Sequence, residues 1–161
     1  MHTALFIALA LISQSKEDKV KSLVGVVDVG FKETGVGPLG GGTAGSPFVL
    51  QFEKSCKAAG IHVSELEAAN ARGGPIYELQ CASMDDGKMR VACTARLLRD
   101  VSLDTAPTDK PRTVYAAVWT SPLIVAAFDR DRIGDLEKLT QTFVDAFMKD
   151  WTEANPVKKR K

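Results

Sequence analysis

Hydrophobic positions along this chain fall into periodic stretches separated by polar or glycine-rich breaks. The clearest stretch lies near the end, where Ile133, Leu136, Leu139, Phe143, Phe147 and Trp151 recur every three or four residues. Between them stand Asp135, Glu137, Lys138, Gln141, Asp145 and Lys149, so the apolar side chains share one stripe of an amphipathic helix that Asn155-Pro156 stops. A second helix opens at Ser46-Pro47, with serine as N-cap and proline at the first helical position, where its missing N–H loses no bond. Phe48, Phe52, Cys56 and Ala59 share its inner face. Gly60 ends it in the left-handed conformation, with Ile61 as the capping contact.

Between and before these helices the pattern changes to period two. Ser22 to Phe31, with Val24, Val26, Val27 and Val29, predicts a first strand. Ser64 and Glu67 stand at capping-box spacing and predict a short helical turn before the break Arg72-Gly73-Gly74-Pro75. Ile76 to Met84 and Lys88 to Leu103 read as a hairpin closed by Asp85-Asp86-Gly87, with glycine in the left-handed position. With Met84 facing Lys88, Cys81 meets Val91 and Leu79 meets Cys93. That register puts Tyr77, Leu79, Cys81, Met89, Val91, Cys93, Ala95 and Leu97 on a core face, and Glu78, Gln80, Arg90, Thr94 and Arg96 on a mostly wet one. After a polar loop from Asp104 to Arg112, Thr113 to Phe128 forms another extended segment, which Pro122 interrupts as at an edge or bulge. Its alternation is ambiguous, because Val114, Ala116 and Val118 compete with Tyr115, Ala117 and Trp119 for the core.

The element order β-α-β-β-β-α defines the α+β class: an antiparallel meander with two helices packed on one face of the sheet. The pattern leaves open where the first strand pairs.

Composition narrows the function. At 161 residues, 45% hydrophobic and 25% charged, the chain is one ordinary domain, and its formal net charge of +1 argues against a global polyanion binder. Ala4 to Ile12 is an unbroken apolar run, too short to span a bilayer as a helix but the right length for the core of an export signal. Ser13 and Ser15 supply the small residues of a cleavage site. The expected organisation is a leader at 1–15, a single domain at 16–155 and a basic tail at 156–161, with a periplasmic or secreted location. Such a chain has no transmembrane span after processing.

Candidate chemistry is sparse. Gly35-x-Gly37-x-x-Gly40 matches a dinucleotide fingerprint by letter, yet Pro38 interrupts it and the helix begins only after Ser46. No cofactor is expected. Cys56, Cys81 and Cys93 lack metal-ligand spacing, allow at most one bridge, and point into the core by periodicity. A Cys56 bridge to a strand cysteine and a small hydrolase or thiol enzyme using Cys56 and His62 stand as alternatives. Asp129-Arg130-Asp131-Arg132 sets arginines beside its acids and reads as a solvated helix entry rather than a metal site. Lys158 to Lys161 reads as a solvated basic terminus. The chain lacks the basic aromatic platform of a nucleic-acid binder. One surface is suggestive: if Val114, Ala116 and Val118 face the helices, Tyr115 and Trp119 lie on the open sheet face beside Arg90 and Arg96, the composition of an interaction hot spot.

Trp119, the run from Thr142 to Trp151 and the closing Ala154-Asn155-Pro156 resemble uncharacterised exported proteins of planctomycete-like bacteria. Their plan is similar: signal, strand, helix ending near Ala-Gly-Ile or Ala-Gly-Val, hairpin, Trp-bearing strand and a last helix ending in Ala-Asn-Pro. The resemblance implies export and carries no activity. In element order alone the chain is similar to the lipopolysaccharide-assembly lipoprotein and ABC-transport auxiliary lipoproteins of bacterial envelopes, which implies an adaptor role. It departs from them in having no lipobox cysteine. The expectation is a non-enzymatic domain that binds a protein or other component of the cell envelope.

Overall fold

The computed structural model describes residues 15–35, 47–85, 89–103, 112–127 and 133–156, with side chains at 47, 83–85, 89, 103, 112, 127 and 133–137 left undescribed. The leader, the glycine-rich segment with Ser46, Asp86 and Gly87, the loop 104–111, Asp129–Arg132 and Lys158–Lys161 lie outside those residues.

The two periodic stretches form α2 (Pro47–Ala58) and α4 (Ile133–Ala154). Phe48, Phe52 and Cys56 of α2 and Leu139, Phe143 and Phe147 of α4 are buried in one core; the side chain of Leu136 is among those undescribed. Gly60 has φ 77°, its N–H bonds to the Lys57 carbonyl, and the Ile61 N–H bonds to the Cys56 carbonyl at 2.8 Å. This is the paired end-cap that the Ala59-Gly60-Ile61 sequence predicts.

The start of the chain differs from the pattern. Lys16–Ser22 is a helix, α1, capped by Ser15, and β1 runs from Asp28 to Gly35 rather than from Ser22 to Phe31. Leu23 and Val26 are buried, but they sit in a turn at Gly25, where φ is 73°. The end of α4 fixes that turn. The Trp151 indole donates to the Val26 carbonyl at 2.7 Å, while the Asn155 amide donates to the Leu23 carbonyl and accepts from the Gly25 N–H.

The remaining elements are β2 (His62–Ser64), α3 (Leu66–Ala71), β3 (Ile76–Asp85), β4 (Met89–Leu103), β5 (Arg112–Thr120) and β6 (Ile124–Ala127). The sheet order is β2-β1-β3-β4-β5, and β6 also pairs with β4. The fold is α+β, and β3-β4-β5 is the expected antiparallel meander. The sheet as a whole is mixed, because β1 runs parallel to both β2 and β3. A parallel neighbour requires a crossover, and α2 supplies the one between β1 and β2.

The β3–β4 register places Cys81 opposite Cys93 and Tyr77 opposite Leu97. Each partner thus lies two residues along β4 from the expected register. A shift of two preserves the faces, so Tyr77, Leu79, Cys81, Val91, Cys93, Ala95 and Leu97 of the expected core set are buried while the partners change; the side chain of Met89 is among those undescribed. On the core side Phe52 stacks on Tyr77 at 4.4 Å, and Phe147 meets Tyr77 and Trp119 edge-on at 5.1 and 5.4 Å.

Candidate functional site

Helices α2 and α4 cover one face of the sheet, and the opposite face is built in three zones. The first lies under α3. Gly30 lies between Ala69 and Ile76, and a Cβ built on it would stand 2.6 Å from the Ala69 Cβ. Only a residue without a side chain lets this short helix sit so close to β1.

The second zone is a charged belt. Glu78 is 2% exposed, yet it holds Lys32 Nζ at 3.0 Å and Arg96 Nε at 2.6 Å, with the Thr34 hydroxyl donating to the same carboxylate. Burial pushes this carboxyl up, but hydrogen bonds from Lys32 and Arg96, together with their charges, outweigh it and leave the acid below its ordinary value. Alternation assigned Glu78 to the face opposite the helices, as observed, but not to a buried position. It gave no sign that the cations of β1 and β4 would enclose it.

Beside this belt, β5 changes sides. Leu97 pairs with Trp119, but Leu98 pairs with Ala117, so Val118 is an extra residue on β5. Across such a bulge the alternation reverses. Tyr115, opposite Asp100, is 44% exposed, whereas Trp119 is 1% exposed and donates its indole N–H to Asp150 at 2.9 Å. The expected pairing of Tyr115 with Trp119 on one surface therefore does not form, and Trp119 is a core residue. Partial burial, followed by the negative charges of Asp100 and Glu78, pushes the Tyr115 hydroxyl up to about 12. Arg96 lies in the belt. Arg90 is half-buried, opposite Met84 and Ala127 at the far end of the same face.

The third zone is a hollow of about 430 Å³, bounded by Gly35, Gln80, Ala82, Ala92, Thr94 and Leu123. Its lining is mostly small and apolar, and it borders the exposed side chain of Leu123.

The cysteines resolve differently from expectation. Cys81 and Cys93 form a disulfide across β3 and β4, and Cys56 is the free thiol. The two-residue change in register is what makes them partners. Closing the hairpin with Asp85 opposite Met89 would have revealed this pairing at the level of sequence. Burial, with a smaller contribution from the charge of Glu53, pushes the Cys56 thiol up to about 12, far above the range of a nucleophilic cysteine.

His62 joins a polar cluster instead. Its Nδ1 lies 3.2 Å from Asp28 and 3.3 Å from the Ser64 hydroxyl, while Arg72 donates to Asp28 at 2.9 Å and to Ser64 at 2.7 Å. Burial raises the Asp28 carboxyl, but the hydrogen bonds from Ser64 and His62 and the charge of Arg72 hold it below its ordinary value. These are the residue types of a hydrolase triad without its order. The serine donates to the acid, and one imidazole nitrogen faces both groups. Among the described residues no cluster of His, Cys, Asp and Glu could hold a metal ion, and no helix is long and apolar enough to cross a membrane.

No family model matches the chain, and no curated protein matches it. Among solved structures, a minor lipoprotein from Acinetobacter baumannii aligns over 79% of this chain and 94% of its own, at 8% identity and a TM-score of 0.31. A likeness at that score carries no argument about fold or role.

Proposed function

We propose that the chain is a non-enzymatic domain of an oxidising, extracytoplasmic compartment that binds another component of the cell envelope through the open face of its sheet. The observation that carries this reading is the open face itself. Beyond α3 it presents half-exposed Tyr115 beside a fixed charged belt and then an apolar hollow, a mixture of aromatic, charged and apolar surface suited to recognition. The Cys81–Cys93 disulfide supports the location, since structural disulfides persist in oxidising compartments and are rare in reducing ones.

The test combines fractionation with site-specific photo-cross-linking in the native host. A cross-linker at Gln80 or Tyr115 should capture a defined envelope component, and one at Glu53 on the outer side of α2 should not. Full-length protein retained in the cytosol with reduced cysteines would remove the location. Equal capture from both positions would remove the open face as the binding surface.

A further inference from the structure

The outer strand β5–β6 ends the sheet, and among the described residues β6 pairs with β4 alone. The direction of its backbone groups follows from the register. Cys81 and Cys93 face each other with Cα atoms 4.2 Å apart, the narrow spacing of a pair that does not exchange backbone bonds. The N–H and C=O of Cys93 therefore turn away from β3 toward β6. Ala95 has the same parity and confirms the direction: its carbonyl accepts from the Ser121 N–H at 2.8 Å, and its N–H bonds to the Ser121 hydroxyl. Ile124 and Ala126, opposite Cys93 and Val91, thus bond to β4, and the backbone groups of Val125 and Ala127 point outward.

Sheets commonly guard such an edge with charge, a bulge or proline. Pro122 and the bulge at Val118 lie on the β5 side of this outer strand, but β6 itself, Ile124–Ala127, contains no charged residue and no proline. Val125 is 56% exposed and Leu123 63% exposed. On the open face Ala82 pairs with Ala92, and Ala92 with Val125, so a row of small apolar side chains runs from the sheet interior to the bare edge and stops there.

We propose that a second copy of this chain continues that row: two protomers pair β6 with β6 antiparallel about a two-fold axis at Val125. An isologous contact needs a surface that complements itself. This one qualifies. Val125 would exchange both backbone bonds with its counterpart, Leu123 would oppose Ala127, and the row would read Ala82, Ala92, Val125, Val125, Ala92, Ala82 across the two sheets. A net charge of +1 places little repulsion between copies. The pairing uses the backbone of the sheet's edge; Ala82, Ala92 and Leu123 also border the apolar hollow, whereas Tyr115 and the charged belt lie outside the row.

The test is sedimentation equilibrium of the full chain over a concentration series, with amide exchange read at Val125 and Ala127. The wild type should dimerise, and the Val125 and Ala127 amides should become more protected as concentration rises. Val125→Pro removes an outward N–H and leaves the β4 ladder intact, so it should weaken association by at least about tenfold without changing the circular dichroism spectrum. Val125→Thr, which keeps the backbone donor and the β-branched shape, should still dimerise. A wild type that stays monomeric up to about 1 mM, beyond even weak specific association, would overturn the proposal. So would undiminished dimers of Val125→Pro, or exchange at Val125 that ignores concentration. If Val125→Pro fails to fold, the wild-type exchange measurement still decides.

Discussion

Opening the Cys81–Cys93 bridge should destabilise the domain by an amount set mainly by the loop it closes. The cysteines are 12 residues apart. In the chain-entropy treatment, closing a loop of that length removes about 9.5 cal/mol/K from the unfolded ensemble, which is roughly 3 kcal/mol at room temperature. Reductant isolates this contribution, since both sulfur atoms remain in the core. The double variant Cys81→Ala with Cys93→Ala adds the loss of two buried sulfur atoms, roughly 1 kcal/mol per site. The assay is urea unfolding followed by tryptophan fluorescence, because Trp119 is buried and Trp151 packs against the core. Reductant should lower the midpoint and steepen the transition, as an unfolded chain without the bridge exposes more surface. The Ala/Ala variant should fall further and ignore reductant. Thiol counting closes the argument: no reactive thiol in the folded protein, one on denaturation, and three on denaturation with reductant. A wild-type midpoint that does not respond to reductant, with three thiols counted in denatured protein that was never reduced, would refute the bridge and the magnitude together.

Other perturbations test the two faces of the sheet. Trp119→Ala should cost about 3–5 kcal/mol, as expected for a buried tryptophan in an aromatic core, and Tyr115→Ala less than about 1 kcal/mol; similar costs in chemical unfolding would contradict the bulge between them. Glu78 has a folded pKa below its ordinary value of 4.5, so its contribution is present above that value and is lost as pH falls through the depressed folded one. Glu78→Gln should therefore be clearly less stable than wild type at neutral pH, with the gap narrowing on acidification below the ordinary value. A gap that does not change with pH would contradict the ion pairs. Gly30→Ala should cost about 1–3 kcal/mol by forcing α3 off β1, with thermal unfolding as the readout and an unchanged melting temperature as the contrary result.

How much of this fold could be read in advance depends on how each element buries its side chains. Helices α2 and α4 bury one stripe each, so Phe48, Phe52 and Cys56, and Leu139, Phe143 and Phe147, mark them out by spacing alone. The core face of the hairpin was legible for a similar reason, since moving a partner by two residues leaves every side chain on its own face. The pairing of the cysteines was not, because periodicity is blind to such a shift. β1 and β2 were hidden by different causes. Lys32, Glu33 and Thr34 look like loop residues until Glu78 is placed against Lys32 and Thr34, and His62–Ser64 is too short to show a period. Val26, one of the valines that suggested a strand, is buried with Leu23 in a turn held by Trp151 and Asn155, more than a hundred positions away in sequence.

The candidate surface was legible only in part, and one residue explains the limit. Val118 is the extra residue in β5, and it reverses which side of the strand meets the helices. Before it, Tyr115 points to solvent beside Asp100; after it, Trp119 points into the core against Tyr77 and Phe147. The ambiguous alternation of Thr113 to Thr120 is the trace of that reversal, because neither parity holds along the whole strand. A bulge of this kind is fixed by what each side must pack. Trp119 fills the core between Tyr77 and Phe147 and reaches Asp150, whereas Tyr115 sits half-exposed on the outer face, where partial burial and then the charges of Asp100 and Glu78 raise its hydroxyl pKa. The same irregularity therefore completes the core and turns an aromatic side chain outward, so any partner of the open face meets Tyr115 and the Lys32–Glu78–Arg96 belt rather than Trp119.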